Sequence, residues 1–488
     1  MTDPSAQRSA DAEQLRRLGY AQQLLREMGG FGSFALSFSI ISILTGAVTL
    51  YGHGLRFGGP LVMTVGWPLV AVMTLTVAAS LAELASAYPT AGALYHWSAI
   101  LGGPGWGFLT AWLNTLGQFA ITAGIDYGLA EFLAPMLGLP ASRGYVVALY
   151  AAVLVSHAVL NHVGVRAVAI LNWLSAWYHV AGALALIAAL SWYAPKRDVD
   201  FLFTQFTDQP YPYGYAFAVG LLQAQWTFTG YDASAHITEE TIDPTRNAPW
   251  GIVLSVAVSG IVGFFMLLAV TLAIVDLPAA AGAPNPFIFV LQSALGARLG
   301  NALLWVVMGA MWFCGLSSIT SNSRMLFAFA RDGGLPFSPS IAHVSPRYQS
   351  PHIAIWISTA AAFAVALWSQ AYAVMVALST TALYASYALP IFLSARHERR
   401  RGGDGGGKAR IRGPWHLGRY SAPVNWVSLA WIGTITVLFV LPPNELAGYT
   451  FTGSLVLLHM YWRYYMRGRF RGPQVSTDQP LASNDSIK

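Results

Sequence analysis

Long apolar runs alternate with short polar or proline-containing stretches along most of the chain. The runs hold about 20 residues each, which is the length of helix needed to cross roughly 30 Å of hydrocarbon. The pattern therefore predicts about twelve membrane-spanning helices. Their expected bounds are 31–52, 61–84, 106–133, 144–162, 167–193, 213–237, 249–275, 300–328, 352–370, 372–394, 423–442 and 446–466.

Polar and small residues interrupt two of these runs halfway along their length. The interruptions are "SILTG" (42–46) in the first run and "WTFTGYD" (226–232) in the sixth. Glycine weakens a helix, and serine and threonine hydroxyls offer the backbone other hydrogen-bond partners. We therefore expect helices 1 and 6 to be unwound there. Because the two helices are five apart and five is odd, the pattern favours two inverted repeats of five helices, followed by two extra helices.

Composition places the chain outside the range of soluble proteins. Of its 488 residues, 55% are hydrophobic and 10% are charged, and the mean hydropathy is +0.51. Soluble domains hold ~25% charged residues. The single cysteine, Cys314, excludes an internal disulfide. The expected fold class is an all-α integral membrane protein.

The placement of basic residues predicts the orientation. With a cytoplasmic N-terminus, the outer loops hold few of the 27 lysines and arginines, and cytoplasmic loops are the ones enriched in them. Both termini are therefore expected in the cytoplasm and the chain in the plasma (cell inner) membrane. Topology also explains the net charge of +6, so no nucleic-acid partner is expected. The outer-loop residues are Arg56, Arg143, Lys196, Arg197 and Arg298.

These features divide the chain into six parts. The N-terminal stretch is polar and lacks the apolar core of a signal peptide. The basic loop is interpreted as a topology determinant, with binding to anionic lipid as the alternative. The expected parts are an N-terminal tail (1–30), a first repeat (31–193), an inverted second repeat (194–395), a basic cytoplasmic loop (396–421), helices 11 and 12 (422–466) and a C-terminal tail (467–488).

An unwound segment inside a membrane has chemical consequences. It leaves backbone N–H and C=O groups unpaired where no water replaces the lost partners. Such N–H groups attract a carboxylate, and such carbonyls attract an ammonium group, so a zwitterionic amino acid fits both. The alternative is a pair of tight kinks that pack against other helices.

Three longer motifs carry a resemblance to a known family. They are "SLAELASAYPTAGALYHW" (80–97), "TEETIDPTRNAPWGI" (238–252) and "SRMLFAFARDGGLPFS" (323–338). In this order they resemble the amino acid–polyamine–organocation permeases, and most closely the amino acid/choline transporter branch that includes GABA permeases. The resemblance implies a transporter with a LeuT-like inverted repeat and a substrate between helices 1 and 6.

The resemblance also implies roles for individual residues. Trp226 aligns with an aromatic gate, Asp232 with acids discussed in proton coupling, and His179 with a lysine that replaces a bound sodium ion in proton-coupled relatives. The expected substrate contacts are Ser42, Ile43, Leu44, Thr45 and Gly46 for the carboxylate, and Trp226, Phe228, Thr229, Gly230 and Tyr231 at the sixth helix.

Several polar residues keep alternative interpretations. Asp232 could carry a proton, pair with the substrate ammonium, or be a buried acid bonded to the backbone of helix 6, and exposure at the cytoplasmic side is a further alternative. His179 could serve coupling or bond a neighbouring hydroxyl, with Ser317 and Ser318 as candidates. His236 is interpreted as part of the cytoplasmic mouth and not as a metal ligand, because no third ligand is suggested. Asn114, Thr115, Gln118, Ser317 and Ser318 are possible cavity-lining residues, with helix packing as the alternative.

Charged residues near the ends of helices receive structural interpretations. Asp126 is expected near the outer interface. An inner gate network is expected among Arg324, Arg331, Asp332, Glu239 and Glu240.

Taken together, the sequence predicts a secondary active permease for an amino acid or related small amine, possibly GABA-like, with proton symport. No ATP-binding motif, enzyme cluster or cofactor site is found in the sequence. The alternatives are a choline, ethanolamine or polyamine permease, an amino acid exchanger, and a membrane sensor that binds an amine without transport.

Overall fold

The computed structural model describes residues 4–140, 142–368, 372–403 and 412–473, and its regular elements are helices. Within these residues there is no β-strand, and one isolated bridge pairs Met28 with Thr241. The centre of the predicted basic loop (404–411) and most of the predicted C-terminal tail (474–488) lie outside the described residues. The helices of the first half are α1 (Pro4–Arg17), α2 (Gly30–Ile41), α3 (Gly46–Thr49), α4 (Tyr51–Gly58), α5 (Trp67–Ala87), α6 (Leu94–Gly102), α7 (Pro104–Met136), α8 (Arg143–Val163) and α9 (Val165–Tyr193).

The second half continues in the same way. Its helices are α10 (Tyr213–Gly220), α11 (Leu222–Thr227), α12 (Ala233–His236), α13 (Pro244–Leu272), α14 (Leu277–Gly282), α15 (Pro286–Arg331), α16 (Ser338–Ile341), α17 (His352–Trp368), α18 (Tyr372–Gly403), α19 (Ser421–Leu438) and α20 (Glu445–Tyr461).

Eight stretches of the described chain are long and apolar enough to cross a membrane, so the predicted class of multi-pass helical membrane protein is confirmed. The predicted number of twelve spans stays a prediction. One expected span, 300–328, is part of the longer α15, which bends at Gly296, where φ is 75°. The eight spans are Gly30–Thr49, Val62–Ala87, Arg143–Val163, Arg166–Tyr193, Pro244–Leu272, Pro286–Arg331, Val374–His397 and Gly418–Leu438.

The first helical run is interrupted between Ile41 and Gly46, inside the predicted "SILTG" segment. Ser42 adopts a left-handed conformation with φ of 32°, which costs a non-glycine residue about 1–2 kcal/mol. The carbonyl of Ser42 accepts hydrogen bonds from the N–H groups of Thr45 (2.8 Å) and Gly46 (3.0 Å). The chain therefore makes a tight turn before α3 continues in the membrane.

The sixth run is interrupted between Thr227 and Ala233, again at the predicted place. Gly230 has a φ of 83°, and a Cβ on this residue would lie 2.3 Å from Cγ2 of Ile40. A Cβ on Gly46 would lie 2.7 Å from the Cα of Thr227. Glycine is required at both positions because the second interruption packs directly against the first interruption and the end of α2.

Helix α13 packs against α2, α5 and α9, and α7 packs against α6, α15 and α18. The largest apolar core joins these helices and includes residues of both interruptions. Large apolar side chains also remain exposed on the outer surface, among them Ile170, Trp177 and Leu457. Such side chains suit a surface that faces lipid.

The N-terminal segment before α2 packs onto the chain that follows α12. The N–H of Met28 donates to the carbonyl of Glu240 (2.9 Å), and the N–H of Ile242 donates back to the carbonyl of Met28 (2.8 Å). Arg26 is buried and donates to the carbonyl of Thr238 (3.1 Å). The stretch predicted as a tail is thus bound to the body of the protein over its described part.

Candidate functional site

The two interruptions enclose a small buried cavity. Its volume is about 10 Å³, which is close to what one water molecule needs. The structure brings four of the predicted contact residues to this cavity: Thr45, Gly46, Trp226 and Thr229. The full lining is Ile40, Ile41, Thr45, Gly46, Ile121, Ile125, Trp226, Thr227, Thr229 and Cys314.

The first interruption is joined to α9 through His179. Nε2 of His179 lies 2.7 Å from Oγ of Ser42, and that oxygen lies 2.6 Å from Oγ1 of Thr45. The other ring nitrogen, Nδ1, donates to the carbonyl of Ser175 at 2.8 Å, because a carbonyl can only accept. All four side chains are buried. His179 therefore holds the hydroxyl pair at the start of the unwound segment.

His179 bonds a neighbouring hydroxyl, as one alternative expected, but the hydroxyl is that of Ser42 and not that of Ser317 or Ser318. Ser317 donates to Oδ1 of Asn172 (2.9 Å), and Ser318 pairs with the hydroxyl of Thr122 (2.7 Å). Both serines lie on the packed face of α15, where the hydroxyls serve contacts between helices.

Backbone groups at the first interruption are only partly used. The carbonyl of Ile40 accepts a hydrogen bond from Sγ of Cys314 at 3.2 Å. The N–H groups of Ile43 and Leu44 have no acceptor among the described residues. Unpaired N–H groups are rare at buried positions, so these two are available to an anion.

At the second interruption, side chains from other helices replace the lost helical partners. The carbonyl of Phe228 accepts from the hydroxyl of Tyr384 (2.5 Å), and that of Tyr231 accepts from Oγ of Ser37 (2.8 Å). The N–H of Gly230 donates to the hydroxyl of Tyr387 (3.3 Å). These contacts hold the turn open without a helix.

The aromatic residues of the second interruption take different positions. Trp226 lines the cavity, and its Nε1–H donates to Oγ of Ser379 at 3.0 Å. Phe228 instead packs on Trp67 with 4.8 Å between ring centroids. Tyr231 packs on Tyr387 at 5.2 Å. Of the three predicted aromatic contacts, only Trp226 reaches the cavity in this structure.

Asp232 is wholly buried, so the alternative of cytoplasmic exposure is wrong. Its Oδ1 accepts from the hydroxyl of Tyr387 (2.8 Å), and its Oδ2 accepts from Nδ2 of Asn114 (3.2 Å). Nε2 of His236 lies 3.1 Å from the same Oδ2. His236 is also buried, and its Nδ1 lies 3.1 Å from the carbonyl of Ala91. Its place at the cytoplasmic mouth stays a prediction.

The other polar residues predicted on helix 3 lie on α7 and contact α15. Thr115 donates to Sδ of Met325 (3.4 Å), and Gln118 donates to Oγ of Ser321 (3.4 Å). Neither lines the cavity described above. In this structure Thr115 and Gln118 therefore serve contacts between helices, whereas Asn114 contacts Asp232.

Four residues of the predicted inner gate network form two buried ion pairs, and their role as a gate stays a prediction. Arg331 binds Glu239 through two hydrogen bonds of 2.9 and 2.8 Å, and Nε of Arg324 donates to Glu240 at 2.7 Å. Burial opposes ionisation of Glu239, but its ion pair with Arg331 prevails and lowers the pKa of this carboxyl. Both pairs lie beyond α12, at the end of the protein where the N-terminal segment packs.

Asp332 lies at the same end of the protein as the two ion pairs and makes contacts that could not be predicted from the sequence. Its carboxylate accepts from the hydroxyls of Tyr95 and Tyr20, the latter at 2.8 Å, and lies 3.1 Å from Nε2 of His96. Burial raises the pKa of Asp332, but the contacts with His96 and Tyr95 outweigh it, and the net pKa is lowered. The ring of Tyr20 also covers the guanidinium of Arg331, 4.0 Å from the ring centroid.

Sequence comparison relates this chain to known proteins. A family model described as amino acid permease matches residues 29–462. The chain is 37% identical to the amino-acid permease BAT1 of Arabidopsis thaliana, over 94% of this chain and 95% of the relative. The chain belongs to the amino acid permease family. The permease is also 38% identical to a BAT1 homolog of rice, over 95% of both chains, and 27% identical to a GABA-specific permease of Saccharomyces cerevisiae, over 95% of this chain and 86% of the relative.

Family membership makes this chain a transporter of amino acids in a membrane and not an enzyme. The small cavity between the interruptions is then the natural place to look for the substrate.

The permease contains a second buried Asp–His pair that sequence reasoning misplaced. Asp126 was expected near the outer interface, but it is fully buried, and Nδ1 of His157 lies 3.1 Å from its Oδ2. Gly315 makes room for this pair, since a Cβ there would lie 1.9 Å from Oδ1 of Asp126. No local signal marks the pair, because the two residues come from different helices.

Proposed function

We propose that this permease is a secondary active transporter that carries a small amino acid such as GABA across the plasma membrane together with a proton. The proposed architecture has twelve spans, with inverted repeats over 31–193 and 194–395, two further helices over 422–466, and both termini in the cytoplasm. The observation that carries the proposal is the meeting of two interrupted helices at one buried cavity.

The substrate carboxylate is assigned to the first interruption, residues 42–46. The unpaired N–H groups of Ile43 and Leu44 and the hydroxyls of Ser42 and Thr45 supply donors there. Charge-assisted hydrogen bonds to such donors are stronger than neutral ones. A substrate without a carboxylate, such as choline or a polyamine, would leave these donors without a partner.

The remainder of the substrate is assigned to the second interruption, residues 226–231. Trp226 lies at the cavity and can close over a bound ligand, and freed backbone carbonyls suit an ammonium group. The cavity is too small for an amino acid in this closed arrangement, so binding requires the two interruptions to separate. The relative named as GABA-specific supports a GABA-like substrate.

Proton coupling is assigned to Asp232 and His179. The two side chains occupy different places, since His179 contacts Ser42 whereas Asp232 contacts Tyr387 and Asn114. A buried acid beside a break in the helix is typical of proton and ion pathways in membrane transporters.

The test is uptake by purified protein in proteoliposomes, with labelled GABA, other amino acids, choline and a polyamine as substrates. Each is tried with a proton gradient, a sodium gradient and no gradient. We expect GABA or a related amino acid to accumulate with the proton gradient, and Asp232→Asn and His179→Ala to lose that accumulation while keeping some exchange. Accumulation of choline or the polyamine alone would refute the amino acid assignment. Exchange without accumulation would identify an exchanger, and binding without movement a sensor.

A further inference from the structure

Two contacts determine where His236 carries its protons. The ring is fully buried, with Nδ1 at 3.1 Å from the carbonyl oxygen of Ala91 and Nε2 at 3.1 Å from Oδ2 of Asp232. A carbonyl oxygen can only accept, so Nδ1 must hold a proton. Both nitrogens therefore face oxygen atoms.

The remaining contact, between Nε2 and Oδ2, requires one further proton. It resides either on the ring, as imidazolium facing carboxylate, or on the carboxyl, which then donates to a neutral ring. Without that proton, a nitrogen lone pair and a negative oxygen would face each other in a buried site, which is unfavourable. The pair in this structure thus holds one proton more than a carboxylate with a neutral histidine.

The surroundings suit a proton that can come and go. Tyr387 and Asn114 donate to Asp232, so the carboxylate keeps two donors when the proton leaves. The charged groups on the neighbouring elements are already paired, Glu239 with Arg331 and Glu240 with Arg324. Helix α2 presents no charge to α12: the hydroxyl of Ser37 and the carbonyl of Ser33 both bond the hydroxyl of Ser234.

The same proton joins α12 to the stretch between α5 and α6. Ala91 lies in that stretch, and its N–H donates to Oε1 of Glu239 at 3.3 Å. When the extra proton leaves, the neutral ring of His236 has a single N–H group. It can then donate to Asp232 or to the carbonyl of Ala91, but not to both. Loss of the proton therefore weakens the link between the sixth helix and this stretch at the end of the protein closed by the ion pairs.

We propose that the Asp232–His236 pair is the binding site of the transported proton, and that its occupancy keeps the cytoplasmic side closed through the contact with Ala91. This inference rests on the proposed proton symport and adds His236 to it. The proton enters with the substrate from outside and leaves to the cytoplasm as α12 separates from Ala91, with only the N–H or O–H bond broken. His179 keeps the coupling role proposed above and acts through its contact with Ser42 at the first interruption.

The first test compares His236→Gln with His157→Gln in proteoliposomes. Glutamine keeps a donor and an acceptor but cannot bind the proton, and His157→Gln removes the buried pair of Asp126 and His157 as a matched control. We expect His236→Gln to lower the accumulation ratio under a proton gradient to about 1 while exchange of labelled substrate remains measurable. The control should accumulate as the unmodified protein does.

The outcomes separate this inference from the proposed function. Undiminished gradient-driven accumulation by His236→Gln, or its loss in His157→Gln alone, overturns the assignment of the proton to His236. Unmodified protein that exchanges no amino acid overturns the proposed function instead.

A second measurement does not depend on transport. Thr238 follows α12 and is buried, and Thr238→Cys places a thiol there. In purified protein, the rate at which a maleimide labels this thiol is divided at each pH by the rate in denatured protein, because the thiolate is the reactive form and its fraction rises with pH. This corrected rate should increase as the pH rises, and His236→Gln should remove that increase. The native Cys314 is buried, and protein without the added cysteine serves as the background. An unchanged pH dependence in His236→Gln contradicts the proposal.

Discussion

Replacement of Gly230 by alanine tests the close packing of the two interruptions. The residue has a φ of 83°, and forcing a non-glycine residue into the left-handed region costs about 1–2 kcal/mol. The added Cβ would lie 2.3 Å from Cγ2 of Ile40, and overpacking of a buried site costs about 1–3 kcal/mol. Gly230→Ala should therefore destabilise the folded permease by about 2–5 kcal/mol.

The measurement is thermal unfolding of the purified protein in detergent, followed by tryptophan fluorescence. The matched control is Gly433→Ala on the exposed face of α19, where an added Cβ meets no atom within 4 Å. The control should melt at or slightly above the temperature of the unmodified protein, since alanine favours a helix by about 1 kcal/mol over glycine. If Gly230→Ala melts together with the control, the turn does not need a left-handed residue there, and the reasoning fails.

Two further substitutions probe the end of the protein closed by ion pairs. Arg331→Ala leaves the buried Glu239 without its partner and should cost about 3–5 kcal/mol, part of which Glu239→Gln restores in the double variant. The pKa of Glu239 is lowered in the folded state, so its ion pair with Arg331 stabilises the protein at neutral pH. This stabilisation is lost as the pH falls below about 4, because the carboxyl becomes protonated. The melting temperatures of Arg331→Ala and the unmodified protein should thus converge in acid, and a constant difference would argue against the pair. Tyr20→Phe keeps the ring 4.0 Å from the guanidinium of Arg331 but loses the hydrogen bond to Asp332, at a cost of about 1 kcal/mol. Tyr20→Ala removes both contacts, which should release the N-terminal segment and speed tryptic cleavage at Arg16 and Arg17. Equal cleavage rates in Tyr20→Ala and the unmodified protein would count against the anchoring role of Tyr20.

The interrupted helices could be predicted because their cause is local. Serine, threonine and glycine within an otherwise apolar run weaken the helix wherever the run is placed. The residues that must be glycine, Gly46 and Gly230, lie inside the predicted segments, and the structure explains both by the contact between segments. The pairing of Glu239 and Glu240 with arginines could also be anticipated, because a charged group buried in a membrane protein needs a partner of opposite sign.

The partners of buried polar groups could not be predicted, because they come from helices far apart in the sequence. Asp232 is visible as an acid in an apolar run, but its contact with Tyr387 depends on how α18 packs. The pairing of Asp126 with His157 likewise depends on the packing of α7 against α8. Hydropathy reports how polar a position is, and a polar residue near the end of a run looks the same whether it faces lipid headgroups or another helix.

The contact of Tyr20 with Asp332 also orders events during synthesis of the chain. The two residues are 312 positions apart, so at about 5–20 residues per second the ribosome produces Asp332 roughly 15–60 s after Tyr20. Throughout that interval the N-terminal segment has no finished binding place on the body of the protein. The contact of Tyr20 with Asp332 can therefore form only after the eighth predicted helix has been made, which leaves this part of the nascent N-terminal segment accessible to modifying enzymes for most of translation.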